Sequence, residues 1–265
     1  MTNILVPIGT SSDAHETLQY AVDFAQDFGA KIFVMEVFNA YGKTGTLSNV
    51  SNKVAESGKE RLKAIINKIE AKNHDIKIAT YNGELVDGLK EIDKEIGIDL
   101  IVLAPRSHDI QEELYLGYSS GRIIKQTDIP TLVVPKGTTY VSFKNVLVAF
   151  KSGILKRKRI LDPLVTIINK HRSKVNLLLV KTPGYSDDDL KINTALMDIS
   201  EQLTLTENAT TYMGVLEHFQ SKHPDLLCVF RRKRGFFKKL WEKSTIPKSE
   251  FSAPIPVLIL SAKKD

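Results

Sequence analysis

Six short, unbroken apolar runs fall into two matched sets, and they restrict the fold more than any other feature of this 265-residue chain. "NILVPI" (3–8) resembles "NVLVAF" (145–150) at an offset of 142. "DLIVLA" (99–104) resembles "DLLCVF" (225–230), and "IPTLVV" (129–134) resembles "IPVLIL" (255–260), both at an offset of 126. The order is kept, and the second copy is 16 residues shorter between its first and second landmarks. Runs of this length without polar alternation mark strands buried on both faces.

Between the runs the period changes to that of a helix. In "DAHETLQYAVDFAQDFGAK", Leu18, Ala21, Val22, Ala25 and Phe28 share a face, Ser12 or Asp13 stands where an N-cap belongs, and Gly29 where a C-cap belongs. Residues 50–72 read as a second helix with Leu62, Ile65, Ile66 and Ile69 on one side, and 84–97 as a third, closed by Gly97. The first half thus alternates strands at 3–8, 31–38, 76–81, 99–104 and 131–135 with helices. The second half repeats the pattern, with strands expected near 145–150, 174–181, 209–213, 225–230 and 256–260. Strict alternation implies right-handed crossovers and a parallel sheet covered on both faces. The expected architecture is α/β, two tandem doubly wound domains, 1–137 and 143–265, with "KGTTYVS" (136–142) as linker.

Charge separates the halves. Residues 1–140 carry 15 Lys and Arg against 19 Asp and Glu, a net of −4, whereas 141–265 carry 22 against 12, a net of +10. The apolar runs fall well short of the ~20 residues of a membrane span, and "MTNILVPIG" lacks the charged start and cleavage site of a secretory leader. The one cysteine, Cys228, excludes an internal disulfide and suits a reducing compartment, so a cytoplasmic location is expected.

The order of elements, the opening "ILVPIGTSS" and the closing "IPTLVVP" make each half resemble the universal stress protein family, the whole chain being similar to a tandem member. The resemblance implies five parallel strands in the order 3-2-1-4-5 in each half. It also implies pairing through the last strands, here as an intramolecular pseudo-dimer. ATP-binding members carry G-x2-G-x9-G-[ST] after the fourth strand and an aspartate at the end of the first. Glycines there let the backbone approach the nucleotide, and the helix that follows offers free N–H groups to phosphate.

Laid on this chain, the signature keeps its spacing and loses most of its residues. Its first-half positions are Ala104, Ser107, Gly117 and Tyr118, with Ser119 and Ser120 following; Gly9 stands for the aspartate, and Val37 completes the family ATP positions. In the second half they are Phe230, Lys233, Lys243 and Ser244, with Phe150 or Lys151 for the aspartate. Each lost hydrogen bond in a dry site costs about 1–3 kcal/mol. Losing two or three takes a micromolar ligand to roughly millimolar. The expectation is that no cofactor is tightly held and ATP is at most a weak ligand. Ser11 and Ser12, and Ser119 and Ser120, read first as helix caps.

Lys156, Arg157, Lys158 and Arg159 follow the first strand of the second half, and Arg231, Arg232, Lys233 and Arg234 follow its fourth. With strands 1 and 4 adjacent, these eight cations share one crest, a candidate anion site. Solvated loops are an equal reading. "GFFKKLWEK" (235–243) is amphipathic, and its aromatics are expected to pack onto the sheet. His15, His74, His108, His171, His218 and His223 show no metal-ligand spacing, and no nucleophile or Walker motif occurs. The leading expectation is a non-enzymatic stress-response protein acting by binding to an unidentified protein or polyanion, with a further homodimer open. A nucleotide-binding or slow ATPase module in the first half, and a nucleic-acid-associated protein, are the competing classes.

Overall fold

A computed structural model describes residues 1–9, 11, 13–38, 47–105, 113–155, 157–231 and 245–262. The first half runs β1 (Asn3–Pro7), α1 (Ala14–Phe28), β2 (Lys31–Phe38), α2 (Leu47–Ile66), β3 (Ile76–Asn82), α3 (Leu85–Ile96), β4 (Leu100–Leu103), β5 (Leu114–Leu116), α4 (Tyr118–Gln126) and β6 (Thr131–Val133). The second runs β7 (Asn145–Phe150), α5 (Asp162–His171), β8 (Lys174–Lys181), α6 (Thr194–Asp198), β9 (Gln202–Glu207), α7 (Thr211–Lys222), β10 (Leu226–Arg231), β11 (Ile246–Pro247) and β12 (Val257–Ser261). Short 3-10 turns at Lys158–Leu161 and Asp187–Leu190 precede α5 and α6.

Ten strands form one sheet in the order β3-β2-β1-β4-β6-β12-β10-β7-β8-β9. Read inward from the sheet edge, each half has the expected 3-2-1-4-5 order. Neighbours are parallel within each half, and the halves meet where β6 and β12 pair antiparallel, Val133 opposite Val257 and Thr131 opposite Ile259. The unbroken apolar runs follow from burial on two sides. On β1, Ile4 and Val6 enter the core beneath α1, while Leu5 enters the core shared with α3 and α4. Gly29 ends α1 in the left-handed conformation (φ 61°), which a glycine reaches without steric cost.

One expected strand is a helix. Residues 209–213 attract a strand reading because "ATTYM" is rich in β-branched and aromatic side chains. The strand lies instead at β9, and Thr210 caps α7, its hydroxyl accepting the Met213 N–H at 3.2 Å. Tyr212, Val215 and Phe219, at i, i+3 and i+7, belong to one core. The shorter second copy also has a physical form: α2 is 20 residues long and its counterpart α6 is 5.

The linker lies along α1. Lys136 pairs with Asp13 at 2.5 Å, Gly137 donates its N–H to Glu16 at 3.1 Å, and Tyr140 donates to Asp27 near the far end of the helix. Phe143, 1% exposed, then enters the core. Among the described residues no helix is long and apolar enough to cross a membrane.

Candidate functional site

The strand order brings the carboxyl ends of β1, β4 and β6 together, the place where open α/β sheets bind ligands. In the first half this edge holds a cavity of about 730 Å³, within the range of small-molecule sites. It collects Gly9 from the end of β1, Val37 from β2, Ala104 after β4, and Ser119 and Ser120 from α4. Five of the family ATP positions therefore share one wall. Gly117 and Tyr118 lie beside them at the start of α4. Ser107, Thr10 and Ser12 fall outside the described residues.

The local chemistry departs from the capping role expected of the serines. Gly117 is itself the N-cap of α4, in an extended conformation (φ −78°, ψ 171°), and no side chain caps the helix. Ser120 donates its hydroxyl to the Ala104 carbonyl at 2.8 Å, so helix and strand end are stitched together by the group a phosphate would otherwise meet. Tyr118 is 61% exposed, and its ring carries the Arg122 guanidinium at 5.6 Å. Gly9 offers no carboxylate. Asp13 and Glu16 on α1 and Glu84 before α3 line the cavity instead, but Asp13 pairs with Lys136, Glu16 accepts the Gly137 N–H, and Glu84 pairs with Arg122 at 2.9 Å. The Glu84 carboxylate raises the Arg122 pKa, burial opposing it.

At the equivalent strand ends of the second half, two of the family positions are core residues. Phe150 ends β7 and Phe230 lies near the end of β10; each is 2% exposed, and their ring centroids are 6.4 Å apart. After β7, Gly153 packs so closely that a Cβ would meet the Ile192 backbone at 2.7 Å. Asn193 pins the same layer: its N–H donates to the Gly153 carbonyl at 2.9 Å and its side-chain amide to the Leu155 carbonyl at 3.0 Å. Phenylalanine stands where the signature has its first glycine and its aspartate, and both rings are part of the core.

The basic crest is only partly as expected. Arg157, Lys158 and Arg159 are exposed around the 3-10 turn after β7. Lys156, Arg232, Lys233 and Arg234 fall outside the described residues. Arg231 must be withdrawn as an anion-binding candidate, because its side chain is 7% exposed and points into the junction between the halves. It donates to the Lys125 carbonyl at 2.9 Å, the Thr127 carbonyl at 2.6 Å, Asp128 at 2.5 Å and Ser261 at 2.8 Å. The last carbonyls of a helix attract a cation, and the planar guanidinium reaches several acceptors at once. Burial lowers the Arg231 pKa, and Asp128 opposes that shift.

Sequence patterning missed one wall of the cavity. Lys248, Ser252 and Ala253 come from the second half, carried there by pairing of β11 with β5. Those strands have two and three residues, too short for any periodicity to register. Among the described residues no cluster of three or more His, Cys, Asp or Glu could hold a metal ion. Cys228 is fully buried in β10, and burial pushes its thiol pKa up, away from the reactive range.

Comparison with known proteins agrees with this geometry. A model described as the universal stress protein family matches residues 1–135. A universal stress protein of Methanocaldococcus jannaschii is 28% identical over 140 residues, covering 50% of this chain and 81% of its own length. The crystal structure of a universal stress protein from Archaeoglobus fulgidus superposes with a TM-score of 0.67 at 18% identity, over 98% of this chain and 96% of that one. A functionally unknown protein from Pseudomonas aeruginosa superposes with a TM-score of 0.56 at 12% identity, over 99% and 93%. These two likenesses concern the fold alone.

Proposed function

This chain belongs to the universal stress protein family, and from that premise we propose that it is a cytoplasmic, non-enzymatic stress-response protein acting by binding, with one small-molecule site per chain. One contrast carries the reading: the first half has a cavity at the strand ends, while the equivalent strand-end positions of the second are the buried Phe150 and Phe230. The two halves, divided at the 136–142 linker, would then have different work, one receiving a ligand and the other completing the fold and the cavity wall.

The chemistry argues against tight ATP binding in the pose of the family signature. Ala104 places a methyl group where close backbone approach is needed, Gly9 cannot hold a ribose hydroxyl, and the Ser120 hydroxyl is spent on the Ala104 carbonyl. The open N-terminus of α4 still attracts an anionic group, which supports a weak, roughly millimolar interaction with nucleotides.

Protein purified without added ligand, then denatured, is expected to release no stoichiometric nucleotide by absorbance ratio and mass spectrometry. Titration of the purified chain with ATP should perturb NMR signals of cavity residues only at millimolar concentration. Recovery of one ATP per chain after extensive dialysis would refute the degenerate-site reading.

A further inference from the structure

The cavity of the first half is completed by the second. β5 leads directly into Gly117 and α4, and it pairs antiparallel with β11, Leu116 opposite Ile246 and Leu114 opposite Pro247. Lys248 extends the ladder, its N–H donating to the Glu113 carbonyl at 2.7 Å. Behind this strap the fully buried Phe251 packs between Tyr115, at 4.9 Å, and Tyr212, at 5.1 Å, which fixes Ser252 and Ala253 in the wall.

The charges of the lining are unequal in what they have free. Arg122 is paired with Glu84 and Lys136 with Asp13. Lys248 is the third cation of the wall, and it has no carboxylate within ion-pair distance among the described residues. Tyr115 also lines the cavity, and its buried hydroxyl has no hydrogen-bond partner among the described residues. An anion entering here meets Lys248 without breaking an existing pair, whereas at the other two cations it must compete with a fixed carboxylate.

We propose that Lys248 sets the charge preference of the first-half cavity from across the junction, so that the ligand is a small organic anion held between the two halves. This rests on the cavity being the ligand site. It has a second consequence: a ligand touching both halves binds only their docked arrangement and therefore stabilises the junction.

The test uses the full chain, with ATP and adenosine as probes that differ in the anionic group. Affinities are read by NMR titration for the wild type, Lys248→Ala, Lys248→Glu and Lys174→Glu, the last being an equal charge reversal at an exposed residue at the amino end of β8, away from the cavity. Thermal unfolding of each variant confirms folding. Lys248→Glu should weaken ATP by about tenfold or more, with Lys248→Ala intermediate, Lys174→Glu unchanged and adenosine the same throughout. Equal ATP affinity in the wild type and Lys248→Glu overturns the proposal and leaves the cavity reading intact. Loss of adenosine together with ATP in Lys248→Glu also overturns it, because the effect is then not one of charge. If the wild type binds neither probe at millimolar concentration, the cavity reading falls and the proposal with it.

Discussion

Acidification should weaken the junction between the halves through His171, and the sign follows from its hydrogen bonds. The ring lies at the end of α5 with its side chain 2% exposed. Nδ1 accepts the Phe143 N–H at 3.2 Å, so the proton of the neutral ring belongs on Nε2, which faces Tyr140 Oη at 3.0 Å and Asp27 Oδ2 at 3.2 Å. A second proton has to enter on Nδ1, directly against a backbone donor. The ring is walled by Phe143, Phe28 and Phe24, with centroids at 5.5, 5.6 and 6.4 Å. Burial lowers the His171 pKa below its ordinary 6.5; Asp27 on α1 opposes this, and Lys144 just before β7 and Lys170 on α5 add to it.

The unfolded chain therefore takes up this proton near pH 6.5 while the folded chain does not. The contribution is complete above pH 6.5 and is lost as the pH falls toward the lower folded value. Its slope cannot exceed about 1.4 kcal/mol per pH unit. The assay is urea unfolding by circular dichroism across about pH 7.5 to 5.5, comparing the wild type with His171→Gln, which can still accept the Phe143 N–H but does not titrate. Other titrating groups are common to both chains, so the difference in slope isolates the histidine. The wild type should lose stability faster than the variant below pH 6.5. Parallel curves, or an NMR titration placing His171 at or above 6.5, would refute the reasoning.

Arg231→Met should lower stability by roughly 2–4 kcal/mol in chemical unfolding, since it strands the Thr127 carbonyl and the Asp128 carboxylate. Heparin retention should not change, and a marked loss of retention would return Arg231 to the anion crest. Gly153→Ala forces a methyl against the Ile192 backbone at 2.7 Å, which no rotamer change relieves, and should cost about 1–3 kcal/mol by thermal or urea unfolding. Phe230→Ala should cost about 3–5 kcal/mol and create an apolar void without conferring nucleotide affinity, as checked by unfolding and ATP titration.

Much of the fold was legible because burial leaves a mark on each residue separately. A strand covered on both faces must be apolar throughout, so β1, β4, β7, β10 and β12 stood out as unbroken runs. Helix faces repeat at i, i+3 and i+4, and Gly29 and Gly97 marked two helix ends. The one misplaced strand shows where this fails. Thr210, Thr211 and Tyr212 favour extended structure locally, but the hydroxyl of Thr210 is worth more as a helix cap, and the helix face at Tyr212, Val215 and Phe219 has a core to join.

At the site, the family positions could be counted along the chain, but their chemistry depended on contacts across it. Ser120 reads as a cap until its hydroxyl is seen on the Ala104 carbonyl, 16 residues away. Arg231 sits in a run of four cations yet turns inward, because the end of α4 presents carbonyls and Asp128 to it. Lys248 carries no mark of its role at all, since a two-residue strand has no period.

By itself, then, the sequence determined the repeated α/β scaffold, the loss of most signature residues and the shortened second crossover. Each depends on local composition and spacing. Only the tertiary structure decided which family positions line a cavity, which cation is drawn into the junction and which residue from the far half closes the wall. Those outcomes depend on how β6 meets β12 and β5 meets β11, and pairings between distant segments are set by the free energy of the whole sheet rather than by either segment alone.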